Sequence, residues 1–498
     1  MDDLSQLIDL LGNQDKVEFK AFLMRKNKRK DVKNIRLFNF LETDDIKSIN
    51  KLCQTEKNRD AYHALRKRLQ DNLLQFLSQR AFESKDHAVY DILRNLVVAR
   101  FLLEHNLDKI GWRCLERAER AATNEEQFGL LNEILLLRMQ YAHLDQDLEF
   151  DRLLDRFVLN QHQMQREAKM HMAYATLRRE LQDIHLKGKI VNLAELIEGT
   201  LKKYQIAVLD LMNYKSLYQI LYIANEYAAI HQNYGLIARY VRKTYQYIQN
   251  LDKPMEKHLY YHLYILYYLA NFNLRNKRFD ESMVYLEQMN ELMLENKTYR
   301  EQFALRWQLL VGLNYHFSGK SDKGIQAILA GLSAINRKSN QGDIDDLYLS
   351  LSMFYAQQHN LKSLSYLAKL GHTDHWYEKK LGMLWTIRKN LMEILVHLQF
   401  ENTELAISRL HSFKRRYKKY LLSIAEDRVL FFLTMVERSI QKPDIVWNPS
   451  YQMAVRSMLE IDANKDIFNL SFIGWLMAKW EKRTPYQITL SLIETVSP

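Results

Sequence analysis

Apolar and polar positions along this chain alternate in blocks that are typical of paired helices. The segment from Leu269 to Met289, LANFNLRNKRFDESMVYLEQM, has an apolar block, a short polar break and a second apolar block. Within each block, apolar residues recur three and four positions apart, which is the spacing of one face of an α-helix. Because one helix pair cannot bury both of its apolar faces, the pattern predicts that neighbouring pairs stack on one another.

The same polar break recurs at a nearly constant interval. If Phe279 marks the start of the second helix, equivalent positions follow at steps of 40 to 42 residues and precede it at steps of 41 to 45 residues. A spacing held over eight junctions is typical of a repeat protein. We therefore expect an all-α fold, a right-handed α-solenoid of about eight helical hairpins with a period near 41 residues. The other junctions are Leu107, Leu148, Ile190, Tyr234, Ser321, Leu361 and Thr403.

Composition favours helix over the whole length of the chain. Of the 498 residues only 5 are proline and 14 are glycine, and the first proline is Pro254. Leu, Lys, Glu, Gln, Met and Arg, which are good helix formers, dominate throughout. Hydrophobic residues make up 47%, which is enough for a buried core.

One unit carries a family resemblance. Gly312, Tyr315, Gly319 and Gly324, followed by Ile328, resemble the tetratricopeptide repeat, which places a small residue and an aromatic in its first helix, glycine in the turn and a small residue in its second. The resemblance covers roughly residues 91–440 and implies an α-solenoid. The period exceeds the family's period of about 34 residues, and one extra turn per helix would account for the excess. The general character of the chain is also similar to helical-repeat proteins of Bacteroidota. Looser matches are Leu269 and Ala270 with Ser282, Leu351 with Tyr355, and Ala406.

Changes in pattern predict three regions. Residues 1–90 carry a basic cluster and helices outside the repeat register, residues 91–440 carry the repeats, and residues 441–498 begin with two prolines. Pro443 and Pro449 should break helices, because proline lacks the backbone N–H that a helix interior requires. We expect the last region to be a helical cap, since the final hairpin of an array needs its face covered.

Positive charge is concentrated in two clusters. The formal net charge is +11, and the sequence KRRYKK at residues 414–419 holds five basic residues in six. Such clusters favour anionic partners, although the same residues can form an ordinary solvated helix face. The candidate partner-binding residues are Lys414, Arg415, Arg416, Lys418 and Lys419 in this cluster, and Arg25, Lys26, Lys28, Arg29 and Lys30 near the start of the chain.

Tyrosine is the other unusual feature, with 29 residues. Tyr260, Tyr264, Tyr267 and Tyr268 are three or four positions apart and should share one side of a helix. They could form the core between repeats, with hydroxyl groups reaching polar partners. They could instead line a concave wall that stacks on a ligand or anchors a peptide, and we include all four as candidate partner-binding residues.

Catalytic, metal and cofactor motifs are missing from the sequence. It contains no GxxxxGK[ST], no GxGxxG and no HExxH. His258 and His262 are four residues apart but have no cysteine or carboxylate at helical spacing to complete a metal site. His372, Asp374 and His375 are best interpreted as a polar turn. We expect no enzyme activity, no cofactor, no metal and no small-molecule substrate.

Only Cys53 and Cys114 are present, which is typical of a reducing compartment. The start MDDLSQLIDLL is acidic and lacks the positive region of a signal peptide. The most apolar stretch, residues 259–272, is shorter than the ~20 residues that a membrane span requires. These features predict a soluble cytoplasmic protein.

Together the patterns predict a non-enzymatic scaffold or adaptor that binds a protein partner, acidic in character, along the concave groove of the array. The alternative is an RNA- or DNA-binding repeat protein, in which lysine and arginine contact phosphates and tyrosines stack on bases.

Overall fold

The predicted all-α class is confirmed. In the computed structural model, every regular element of the described residues is a helix. Contacts divide the chain into two compact units, Met1–Glu167 and Ala168–Pro498. The region boundaries expected near residues 90 and 440 stay predictions. The structure describes residues 4, 7–8, 11–26, 33–43, 59–83, 88–144, 149–187, 192–207, 213–231, 234–249, 258–336, 339–424, 426–461 and 466–495.

The first unit contains two apolar clusters. Phe19, Phe38 and Leu69 belong to the cluster that α1, α2 and α3 share. Helices α4 to α6 enclose the second, which includes Leu103 and Leu115. The helices of this part are Asn13–Lys26 (α1), Lys33–Glu42 (α2), Arg59–Glu83 (α3), Ala88–Glu104 (α4), Asp108–Asn124 (α5), Phe128–Gln140 (α6) and Phe150–Lys187 (α7), the last of which continues past residue 167.

The second unit continues as a series of helices joined by short turns. The hairpins below are built from Leu259–Arg275 (α11), Phe279–Glu295 (α12), Lys297–Phe317 (α13), Ser321–Ser333 (α14), Gln341–Gln357 (α15), Lys362–Leu367 (α16), Met383–Gln399 (α18) and Thr403–Ser423 (α19), and Tyr214–His231 (α9) precedes them. The others are Leu193–Lys203 (α8), Ala238–Gln249 (α10), Asp374–Lys380 (α17), Asp427–Gln441 (α20), Pro449–Arg456 (α21), Ile467–Glu481 (α22) and Pro485–Thr495 (α23).

Four successive helix pairs in the described part of residues 259–423 pack as hairpins: α11 with α12, α13 with α14, α15 with α16, and α18 with α19. The first helices α9, α11, α13, α15 and α18 contact one another in that order. On α15, Leu347, Leu351 and Phe354 are fully buried. A helix that is apolar on nearly all sides must lie inside the protein, which explains why the first helices form the interior of this unit.

The turns inside these four hairpins share one local structure. Lys277, Gly319, His359 and Glu401 each adopt a positive φ angle directly after the first helix. In the first turn, the backbone N–H of Arg278 donates to the carbonyl of Asn273, and the three other turns repeat this bond. The pattern is a Schellman motif, which satisfies carbonyl groups at the end of a helix.

Gly312 and Gly324 lie where α13 and α14 touch. A Cβ atom added to Gly324 would lie 2.7 Å from the backbone oxygen of Gly312. A Cβ atom added to Gly312 would lie 2.5 Å from a side-chain carbon of Ile328. The equivalent contact in the preceding hairpin joins Ser282 and Ala270, where the serine hydroxyl donates to the alanine carbonyl at 2.8 Å.

The C-terminal helices pack across several hairpins. Pro443 begins a 3-10 helix after α20 ends, and Pro449 is the first residue of α21, so both predicted helix breaks are confirmed. Beyond them, the indole of Trp475 on α22 donates to Gln399 at the end of α18 at 2.9 Å. The hydroxyl of Tyr486 on α23 donates to the carbonyl of His316 at the end of α13 at 2.8 Å. The segment expected to cap the last hairpin therefore also contacts hairpins far from the end.

Candidate binding site

Two of the five basic residues at positions 414–419 are already paired within the fold. All five basic residues lie on α19. The ammonium group of Lys414 donates to Glu437 at 2.6 Å. The guanidinium of Arg416 donates to both oxygens of Glu378, at 2.7 and 2.9 Å. Arg415, Lys418 and Lys419 are exposed.

Glu378 accepts hydrogen bonds from two neighbouring residues of α19. The hydroxyl of Tyr417 also donates to it, at 2.9 Å. The hydrogen bond from Arg416 lowers the pKa of the Glu378 carboxyl, because donors that favour the charged form stabilise it. Two of the five basic residues thus stabilise the fold, and the other three remain candidates for a partner.

The N-terminal basic cluster is described only in part. Arg25 and Lys26 end α1, and Lys26 donates to Asn72 on α3 at 2.8 Å. Lys28, Arg29 and Lys30 lie outside the described residues. Lys26 therefore joins two helices of the first unit, and the role of the cluster in binding stays a prediction.

The four candidate tyrosines lie on α11 and pack against other rings. Tyr260 and Tyr264 have ring centroids 5.1 Å apart, and Tyr264 lies 4.7 Å from Phe303 on α13. Arg306 donates to the hydroxyl of Tyr264 at 2.5 Å. Burial raises the pKa of Tyr260, Tyr267 and Tyr268. Packing between hairpins accounts for most of this tyrosine surface, and a stacking role stays a prediction.

An open cleft lies between α7, α9 and the turn before α18. We call it the Arg178 cleft. It has a volume of about 680 Å³. Its principal polar residues are Arg178, Arg179, Gln182, Tyr222 and Glu226, and Leu381 and Gly382 complete its wall.

Arginine and tyrosine are in direct contact in the Arg178 cleft. The guanidinium of Arg178 lies 5.6 Å from the ring centroids of both Tyr174 and Tyr222. Desolvation raises the pKa of the Glu226 carboxyl, and Arg178 opposes that rise. Arg178 and Arg179 are exposed. The cleft therefore presents guanidinium donors that are packed against tyrosine rings, and an anionic group of a ligand can accept hydrogen bonds from them.

A second, smaller cavity is lined by the inner faces of α11, α13, α15 and α18 and by α22. We call it the Arg388 cavity. Its volume is about 200 Å³. The charged and polar residues on its wall are Tyr234, Tyr267, Asn271, Arg275, Asp346, Ser350 and Arg388.

Two arginines flank one phenylalanine in the Arg388 cavity. The guanidinium groups of Arg275 and Arg388 lie 4.6 and 5.0 Å from the ring centroid of Phe468. Arg275 forms a buried ion pair with Asp466. Burial lowers the pKa of Arg388, and the nearby charge of Arg275 lowers it further.

Asp346 is a carboxylate on the wall of the Arg388 cavity. The indole of Trp385 donates to it at 2.7 Å. Burial raises the pKa of Asp346 to about 6, against the opposing effects of Trp385 and Arg388. The carboxyl is therefore largely ionised at neutral pH but titrates close to it.

Sequence reasoning missed Arg275, Asp346, Arg388 and Asp466. Each is a charged residue inside or beside an apolar helical pattern, and such a residue is usually interpreted as a break in the apolar face. The available signal for such a buried polar site was a charged residue on an otherwise apolar, inward-facing stripe. Only the fold shows that these four residues, up to 191 positions apart in the Arg275–Asp466 pair, line one cavity or support its wall.

The histidine candidates do not form a cluster. His262 is buried, and burial lowers its pKa to about 4. The ring of His372 stacks on Trp376 with centroids 3.9 Å apart. Within the described ranges, no group of three or more His, Cys, Asp or Glu residues could hold a metal ion. Cys114 is partly buried, and Cys53 lies outside the described residues.

No protein-family model matches the sequence, and comparison with curated proteins finds no significant match. The resemblance to tetratricopeptide repeats therefore stays a prediction. In the part of the chain that the structure describes, no helix is both long enough and apolar enough to cross a bilayer.

Proposed function

We propose that this chain is a non-enzymatic scaffold that binds a protein segment of acidic character along a groove formed by its helical hairpins. The Arg178 cleft is the observation that carries the proposal. It combines a volume of about 680 Å³ with two exposed arginines and the ring of Tyr222. Tyrosine and arginine are enriched at protein interfaces, because they pair a large contact area with directional hydrogen bonding.

The shared turn structure supports a repeat array of the tetratricopeptide type. Lys277, Gly319, His359 and Glu401 occupy the same place in successive turns, and they lie at the spacing expected from the sequence. The first helices of these hairpins also contact one another in chain order. A right-handed α-solenoid accounts for both observations, since each repeat of such an array contacts mainly its neighbours.

The remaining basic residues of α19 support an acidic partner. Arg415, Lys418 and Lys419 are exposed on one helix, with Arg415 and Lys419 separated by one turn. Like charges at that spacing repel each other by a few tenths of a kcal/mol. An anionic partner would relieve the repulsion.

Affinity capture with matched variants tests the proposal. The full-length protein is immobilised in native lysate, and retained proteins are identified by mass spectrometry. We expect a protein that the wild type retains and that the double variant Arg178→Gln, Arg179→Gln loses. The control replaces Arg113 and Arg117, two exposed arginines on α5, by Gln. Capture should also weaken with salt, since exposed charges are screened within about 8 Å at physiological ionic strength.

Identical retained proteins for the wild type, the cleft variant and the control would contradict the proposal. Loss of capture in the control as well would show that net charge, and not the cleft, determines binding.

The exposed basic residues of α19 also favour a second candidate function, nucleic-acid binding. Exposed Arg415, Lys418 and Lys419 could contact phosphates. In that case the purified protein should carry an excess of absorbance at 260 nm that nuclease removes. The triple variant Arg415→Glu, Lys418→Glu, Lys419→Glu should then lose the nucleic acid, while the Arg178 and Arg179 variant should keep it.

A further inference from the structure

Arg388 is a half-buried cation on the wall of the Arg388 cavity. The structure gives its guanidinium a ring contact with Phe468 at 5.0 Å. To the other described residues it donates no hydrogen bond, and with them it forms no ion pair. A guanidinium presents five N–H donors in a fixed fork. An acceptor that entered the cavity would bind these donors through charge-assisted hydrogen bonds.

The charges around Arg388 do not supply this acceptor. Asp466 is paired with Arg275. Asp346 accepts from Trp385 at 2.7 Å and forms no ion pair with Arg388. The donors of Arg388 therefore stay available to a ligand.

The size of the cavity limits what it can hold. Its volume is about 200 Å³, and an apolar cavity of about 150 Å³ is known to bind benzene. Leu313, Met353 and Met392 form an apolar part of the wall. The space therefore suits one charged group joined to an apolar body of roughly six to nine non-hydrogen atoms.

We propose that the Arg388 cavity binds a small monocarboxylate. The carboxylate accepts two hydrogen bonds from the guanidinium of Arg388, whose planar fork matches carboxylate geometry. The apolar body lies against Leu313, Met353 and Met392. A single unpaired arginine balances one negative charge, and the carboxylate of Asp346 on the wall of the same cavity disfavours a dianion such as phosphate.

This site shares no lining residue with the Arg178 cleft. The proposal therefore does not depend on the scaffold function, and the two can fail separately.

Calorimetric titration of the full-length protein tests the site. The probes are benzoate, phenylacetate and isovalerate, with benzyl alcohol as the neutral comparison and inorganic phosphate as the dianionic one. We expect saturable binding of at least one carboxylate, and at least tenfold weaker binding of benzyl alcohol and phosphate. Arg388→Met should weaken carboxylate binding at least tenfold. Arg117→Met, an exposed arginine on α5, is the matched control and should bind like the wild type.

Two further variants keep the test decisive if Arg388→Met does not fold. Asp346→Asn removes the negative charge of the cavity wall and should tighten carboxylate binding. Met353→Phe narrows the apolar part of the cavity and should weaken the binding of phenylacetate more than that of isovalerate. The proposal is overturned if none of the three carboxylates binds, if benzyl alcohol or phosphate binds equally well, or if carboxylate affinity is unchanged in Arg388→Met and in Asp346→Asn.

Discussion

His316 joins three parts of the second unit through one buried imidazole. Its Nδ1 atom lies 2.8 Å from the hydroxyl of Ser321, and its Nε2 atom lies 2.6 Å from the amide oxygen of Gln357. The ring also stacks on Phe354 with centroids 3.8 Å apart. Gln357 offers an acceptor oxygen to Nε2, so Nε2 carries the proton and Nδ1 accepts from Ser321. Burial lowers the pKa of His316 to about 3.

This depressed pKa predicts a dependence of stability on pH. An unfolded chain protonates His316 near pH 6.5, whereas the folded chain does so only near pH 3. Between these values the unfolded state binds more protons, so the free energy of unfolding falls as the pH falls. Thermal melting should show a Tm that decreases from pH 6.5 to pH 4, and His316→Gln should flatten this decrease. His162→Gln, on an exposed face of α7, should keep the wild-type slope.

Gly324 gives a second prediction at the residue scale. A Leu side chain there would collide with the backbone of Gly312, because a Cβ atom alone would lie 2.7 Å from its oxygen. Overpacking of this kind costs about 1–3 kcal/mol. Chemical denaturation should show that loss for Gly324→Leu and little change for Lys320→Ala, at the exposed turn residue. Equal stability of both variants would contradict the placement of this helix contact.

At the scale of elements, one side of α19 packs into the core and the other side carries exposed basic residues. Its buried residues Ala406, Leu410, Phe413, Tyr417 and Leu421 repeat at steps of three and four. Beside this buried stripe, Arg416 forms an ion pair with Glu378 on α17, while Lys418 is exposed. The sequence showed the stripe and the charges but could not show Glu378, because that partner lies 38 residues away.

Single replacements on α19 should separate these two roles. Arg416→Gln should lower stability by up to about 1 kcal/mol, the upper range for a partly exposed ion pair. Lys418→Gln should change stability by less than about 0.5 kcal/mol, as expected for a surface position. Urea denaturation of both variants compares them directly. A larger loss for Lys418→Gln than for Arg416→Gln would contradict the assignment.

The Arg275–Asp466 pair fixes the start of α22 on the end of α11. Both side chains are nearly inaccessible, at 6% and 4% exposure. Asp466→Ala leaves the cation of Arg275 buried without a partner, which typically costs about 3–5 kcal/mol. The double variant Arg275→Met, Asp466→Ala should recover part of that loss, because it removes the unpaired charge. Thermal melting measures both, and a double variant less stable than Asp466→Ala would contradict this account.

At the scale of the whole molecule, the sequence predicted the helical class because helical periodicity is a local property. It also placed the turns near Phe279, Ser321, Leu361 and Thr403, where the structure begins α12, α14 and α19 at the predicted residue and α16 one residue later. The Arg178 cleft and the Arg388 cavity could not be predicted in this way. Their walls join residues from distant helices, and without homologous sequences a single chain carries no record of such contacts.

Site-directed photocrosslinking in the Arg178 cleft tests the central claim most directly. A photoreactive amino acid replaces Gln182, an exposed residue on the wall of the cleft, and a control carries it at Arg117 on α5. The account predicts a specific protein adduct at position 182 that is absent at position 117. The adduct should disappear when Arg178 and Arg179 are replaced by Gln, and nuclease should leave it unchanged. An adduct with nucleic acid, or equal protein adducts at both positions, would contradict the proposal that this chain is a protein-binding scaffold.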